Sequence, residues 1–142
     1  MIENQPNEIT LIFHSDKDKD KKMRAFVETI STYKVKTIDL KRETLTQTQL
    51  AEIANKLNVE ISDLIDQTYV DTNQVETKVG EESMSPNDQL TLITNNFLLL
   101  ETPILIIGKE AYHYQSAYTL LEQKFNITGV ASNGSANIEE RQ

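Results

Sequence analysis

Four consecutive apolar residues, Ile104, Leu105, Ile106 and Ile107, follow directly on Pro103. A strand with one wet face alternates apolar and polar side chains, so an unbroken run of this kind reads as a central strand covered on both faces. A chain of 142 residues is long enough to provide that cover within one compact domain, without disulfides or a structural metal.

The flanking sequence supplies candidate partners. Ile9 to Phe13 is a short β-favouring run that stops at the polar stretch 14–22, which reads as a loop. Beyond it Met23, Phe26, Val27 and Ile30 recur at helical spacing, and Val35 and Ile38 mark a second strand within 33–40, giving a β-α-β unit. Thr46 with Gln49 three residues on is a capping-box pattern opening a helix through Leu50, Ile53, Ala54 and Leu57. Ile61, Leu64 and Ile65 form a short amphipathic turn, and the polar stretch 67–82 is expected to loop over the surface. Ser85 before Pro86, with Asp88 in the first turn, starts a helix through Leu90, Ile93 and Phe97 that Pro103 separates from the apolar strand. Gly108-Lys109 turns into a strand near Tyr112, and a last helix is expected over 116–125. The boundaries are a lead at 1–7, a domain at 8–125 and a patternless, mobile tail at 126–142.

Charge and composition exclude several functions. Fourteen Lys and Arg against 22 Asp and Glu leave a formal charge of -8, which gives direct nucleic-acid or membrane-surface binding no global support. The first residues have neither a basic flank nor an apolar signal run, and Glu101-Thr102-Pro103 interrupts the apolar stretch 97–107, so a soluble cytoplasmic protein is expected. With no cysteine, the chain has no thiol nucleophile, zinc-thiolate site or disulfide framework of its own.

The order of elements and the segment 88–103, with Leu98-Leu99-Leu100-Glu101-Thr102-Pro103-Ile104 as its end, resemble the arsenate reductase and Spx family over roughly 9–125. Gly108-Lys109 falls where that family often has Gly-Lys. The resemblance implies an α/β, thioredoxin-like fold of the glutaredoxin and arsenate reductase type: β-α-β, a helical insertion, then β-β-α, on a small mixed sheet. It also implies a cis bond at Thr102-Pro103, shaping one wall of the cleft. In the reductases the first strand leads to a cysteine at the start of the first helix, where the helix dipole favours the thiolate. Aligning Phe13-His14 with that segment sets Asp18 at the cysteine position, and the oxyanion-clamping arginines correspond to Asp66, Thr102 and Tyr114. A carboxylate cannot form the thiol-arsenic adduct, so the resemblance implies a member without reductase activity. Spx-like members regulate by binding RNA polymerase, which implies a binding or regulatory role with a protein partner, though not one switched by thiols.

The former active-site loop therefore comprises His14, Ser15, Lys17, Asp18, Lys19 and Lys21, with Thr102 and Pro103 as cleft wall. An alternative is a small-molecule or anion binder, or a non-thiol enzyme, using Asp18 as acid or base with Lys19 or Lys21 assisting. Asp16, Asp18 and Asp20 alternate as in a calcium loop, but Lys21 stands where the sharp turn needs glycine and Val27 where a bidentate Glu belongs, so no metal is expected. His14 and His113 lack neighbours at metal-ligand spacing and read as structural or surface residues. Tyr112, Tyr114 and Tyr118 read as aromatic packing ahead of a partner patch. With four glycines and no phosphate-cradling loop, no cofactor is expected.

Overall fold

The computed structural model describes residues 7–30, 32–79 and 82–113. Residues 1–6 of the lead 1–7, Tyr114, the expected helix at 116–125 and the tail 126–142 lie outside the described residues.

Strands β1 (Glu8–Phe13), β2 (Lys34–Asp39), β5 (Ile104–Ile107) and β6 (Glu110–His113) form one mixed sheet in the order β2-β1-β5-β6. β2 runs parallel to β1, whereas β5 runs antiparallel to both β1 and β6. The parallel pair is joined through helix α1 (Asp18–Val27), as a crossover connection requires. All four residues of β5 are buried, and alternation divides them between two cores. Ile104 and Ile106 join Ile12 beneath helices α2 (Gln47–Leu57) and α4 (Pro86–Asn95), against Leu50, Ile53, Leu90 and Ile93. Leu105 and Ile107 join Ile9, Leu11 and Phe13 beneath Met23, Phe26 and Val27 of α1. Each fully buried aliphatic side chain of this kind stabilises the fold by roughly 1.5–3 kcal/mol relative to exposure.

Local signals act where expected. The Thr46 hydroxyl accepts from Gln49 N–H and the Gln49 side chain accepts from Thr46 N–H, closing the capping box at 3.0 and 2.9 Å. Ser85 caps α4 by accepting from Asp88 N–H. Gly108 sits at φ +60 in the two-residue loop between β5 and β6, the position where such hairpins favour glycine. Tyr112 packs against the α1-side core.

Two expectations are corrected. The stretch 67–82 holds helix α3 (Gln67–Asn73) and part of a small hairpin, β3 (Lys78–Val79) with β4 (Glu82–Ser83). α3 buries only Val70, so it has no apolar stripe to reveal it; the Asp66 carboxylate starts it by accepting from Tyr69 N–H. The helix expected to continue through Phe97 ends at Asn95, and Phe97–Leu99 forms a separate 3-10 turn whose Leu98 N–H is capped by Asn96.

Removing side-chain volume in the core should cost far more than removing a cap. Ile53→Ala is expected to lower stability by about 2–5 kcal/mol and Thr46→Ala by about 1 kcal/mol, read as urea midpoints at unchanged slope. Equal losses would contradict the packing described.

Candidate functional site

The polar stretch after β1 is less of a loop than its composition suggests, because α1 begins inside it at Asp18. Residues 14–17 form a tight turn closed by Lys17 N–H donating to the His14 carbonyl at 3.0 Å. Ser15 N–H donates to Asp39 Oδ1 at the end of β2, and Asp16 N–H donates to His14 Nδ1 at 3.2 Å. Acidic residues in the first turn of α1 match the positive end of its dipole.

Asp20 fixes this turn to the rest of the site. Its Oδ2 accepts from the His14 backbone N–H at 2.8 Å and from the Thr102 hydroxyl, while Oδ1 is buried without a hydrogen-bond partner among the described residues. One carboxyl group thus joins the end of β1, the first turn of α1 and the residue before Pro103, whose peptide bond is cis. Burial pushes the Asp20 carboxyl above its ordinary value, against the downward pull of Thr102, His14 N–H, Lys17 and Lys19.

Two ion pairs cross from α1 to the opposite wall. Lys17 Nζ donates to Asp66 Oδ2 at 3.0 Å and to the Leu100 carbonyl at 2.9 Å. Lys19 Nζ donates to Glu101 Oε2 at 3.0 Å. The first pair is mostly enclosed, with side chains 13% and 12% exposed, and the second sits at the rim, at 42% and 35%. Desolvation pushes Asp66 up, but Lys17 and the Tyr69 N–H outweigh it and hold the carboxyl below its ordinary value. Desolvation likewise opposes charge on Lys19, and the Glu101 bond overrides it to hold the ammonium above its ordinary value. Between the walls lies an open cleft of about 400 Å³. Lys17, Lys19, Asp66 and Glu101 line it together with Thr68, Tyr69, Thr72 and Asn73 from α3.

Of the loop residues singled out in the sequence, Lys17 and Lys19 reach this cleft, whereas Asp18 and Lys21 do not. Asp18 is 90% exposed and pairs with Lys21 along the helix surface at 3.4 Å. Helical geometry turns each residue by about 100°, so burying Asp20 aims Asp18, two residues earlier, toward solvent. The expectation that Asp18 serves the cleft as acid or base is corrected accordingly. His14 and Ser15 belong to the turn, and His14 is buried there as a structural acceptor. Thr102 and Pro103 are buried behind the cleft rather than lining it. His113, half-buried at the end of β6, has an unpartnered Nδ1 among the described residues; burial lowers its pKa, with Lys19 adding to the effect against Glu101 and Asp63. Asp66, Glu101 and Asp20 emerge as site residues whose partners lie 49 or 82 positions away, distances at which no local pattern in the sequence operates. Among the described residues, no three His, Asp or Glu side chains gather closely enough to hold a metal.

No family model and no curated protein matches the sequence. Solved structures do match the fold. An arsenate reductase from Vibrio cholerae superposes with a TM-score of 0.64 at 16% identity, over 84% of this chain and 98% of that one. A possible arsenate reductase from Streptococcus mutans gives 0.58 at 11% identity, over 81% and 99%. A Staphylococcus aureus protein gives 0.55 at 17% identity, over 78% and 95%. The chain therefore has the thioredoxin-like α/β fold of the arsenate reductase type, without cysteine. No helix among the described residues is long and apolar enough to cross a membrane.

The two buried carboxyls should respond to pH with opposite sign. Asp66 lies below the ordinary 3.8, so its stabilisation is present above that value and is lost as pH falls through its folded pKa. Asp20 lies above 3.8, so the fold favours its protonated form, and that contribution fades as pH rises through the folded pKa. Asp66→Asn is expected to cost about 1–3 kcal/mol at neutral pH, with a deficit that shrinks in acid, as denaturant unfolding across pH would reveal. Against Asp20→Asn, wild type should instead gain ground as pH falls. Parallel profiles for the two variants would refute the assignment.

Proposed function

We propose that this chain is a non-catalytic protein on the arsenate reductase fold, working in the cytoplasm as a binding or regulatory module that contacts a protein partner through the cleft and its rim. The observation behind this reading is that the cleft's cations already have anions of their own. Lys17 and Lys19 are held by Asp66 and Glu101, so an oxyanion entering the cleft would meet a carboxylate of the same polypeptide beside each ammonium. No thiol is available to attack it, and the residue at the position matched to the cysteine, Asp18, faces solvent. What remains accessible is a rim of mixed charge beside Tyr69, Thr72 and Asn73, a composition suited to contact with a polypeptide.

Affinity capture from native extract tests this reading when wild type is compared with Lys19→Glu at the rim and Lys21→Glu outside the cleft. A single specific partner retained by Lys21→Glu and reduced about tenfold or more by Lys19→Glu is expected, since like charges then face each other at position 101. Equal capture by all three proteins would remove the cleft from the interface. Asp18→Cys is expected to show no thiol-dependent arsenate reduction in a coupled assay; turnover would mean that the missing thiol alone separates this chain from an enzyme.

A further inference from the structure

The cleft presents two ammonium groups and two carboxylates to one space. They behave as a single cluster, because Lys19 acts on Asp66 as well as on its bonded partner Glu101. A ligand of one sign gains little there: an anion competes with Asp66 and Glu101 for the ammoniums, and a cation competes with the lysines for the carboxylates. A ligand carrying both signs can set each charge against its opposite, so the attraction at one end is not offset by repulsion at the other. We infer that the cleft binds a small zwitterion of the amino acid or dipeptide class, its carboxylate set against Lys17 and Lys19 and its ammonium against Asp66 and Glu101.

Hydrogen-bonding capacity for both ends is present. The Lys17 ammonium has three donors, and among the described residues it uses two, on Asp66 Oδ2 and the Leu100 carbonyl. Among the described residues Asp66 accepts one bond at each oxygen, from Tyr69 N–H and Lys17, leaving a lone pair on each. Glu101 accepts from Lys19 through Oε2, and Oε1 has no hydrogen-bond partner among the described residues. Tyr69, whose hydroxyl accepts from Asn96 at 3.4 Å, lines the same space beside Thr68 and Thr72 and gives the ligand's side chain an aromatic neighbour. A volume of about 400 Å³ lies at the low end of the range for ligand pockets and suits a compact molecule. This inference concerns a small ligand and does not rest on the protein-partner reading, although both use the same rim.

Amide chemical-shift titration of the full chain with the dipeptide Ala-Leu, its N-acetyl form and its C-terminal amide decides the matter. Ala-Leu is expected to shift the amides of Lys19, Tyr69 and Glu101 in a saturable way, and each capped form, having lost one charge, to bind about tenfold more weakly. Glu101→Gln, at the half-exposed rim where folding is least at risk, should weaken Ala-Leu by a similar factor without weakening the N-acetyl form, which has no ammonium to lose and no longer competes with that carboxylate for Lys19. Equal binding of all three dipeptides, or no response to Ala-Leu up to about 10 mM, would overturn the inference. No response to Ala-Leu by protein that still captures a partner through the Lys19 rim would overturn it alone and leave the module reading in place.

Discussion

The antiparallel pairing of β1 with β5 governs where the site residues fall. Ile12 lies opposite Ile104, so the carboxyl end of β1 meets the amino end of β5. Because β5 starts directly after Thr102-Pro103, the turn leading into α1 and the segment 100–103 share one end of the sheet. Three long-range contacts of the site follow from this register: Asp20 to Thr102, Lys19 to Glu101, and Lys17 to the Leu100 carbonyl. The register is held in turn by burial. A slip of one residue would turn Ile9, Leu11 and Phe13 away from α1 and bring Thr10 against Met23 and Phe26.

Within that frame the electrostatics are arranged to cancel. The chain has a formal charge of -8, yet the cleft pairs each lysine with a carboxylate. Such pairs are weak sources of stability, since desolvating both charges offsets most of their attraction. Their effect is positional. Asp66 also caps α3 through Tyr69 N–H, so one carboxylate both starts the helix that forms a cleft wall and anchors the lysine facing it. Loss of Asp66 would leave Lys17 enclosed with the Leu100 carbonyl as its remaining described partner, which is why removing one member of the pair costs more than the pair is worth.

Much of the fold was readable because its elements satisfy local rules. The apolar run of β5, the Thr46-Gln49 box and the Ser85-Pro86 start each state their own geometry, and the resemblance in the segment 88–103 anticipated both the fold and the cis bond that the structure has. Helix α3 was unreadable for the converse reason: with Val70 its only buried residue, it is held by a cap and a neighbouring 3-10 turn rather than by an apolar stripe. The loop at 14–22 was half readable. Its charges were evident, but three alternating aspartates look alike in sequence, and only the helical turn separates buried Asp20 from exposed Asp18. Lys17 and Lys19 were singled out for their charge, while Glu101 as a partner is a product of sheet register and Asp66 of the bridge between Ile65 and Leu100.

Asp20 shows how the site keeps its shape in a chain without cysteine. A carboxylate at the exposed first position of α1 would do nothing to hold the cleft together, as Asp18 illustrates. Two residues later the same group accepts the first backbone N–H of the turn, that of His14, and the Thr102 hydroxyl, closing the gap between α1 and the segment before β5. Its burial is unfavourable for the charge, and that cost is offset by fixing three segments at one point. The lysines on the same helix are thereby aimed at the opposite wall, where carboxylates meet them. A charge-balanced cleft results, its two lysines each met by a carboxylate from the facing wall.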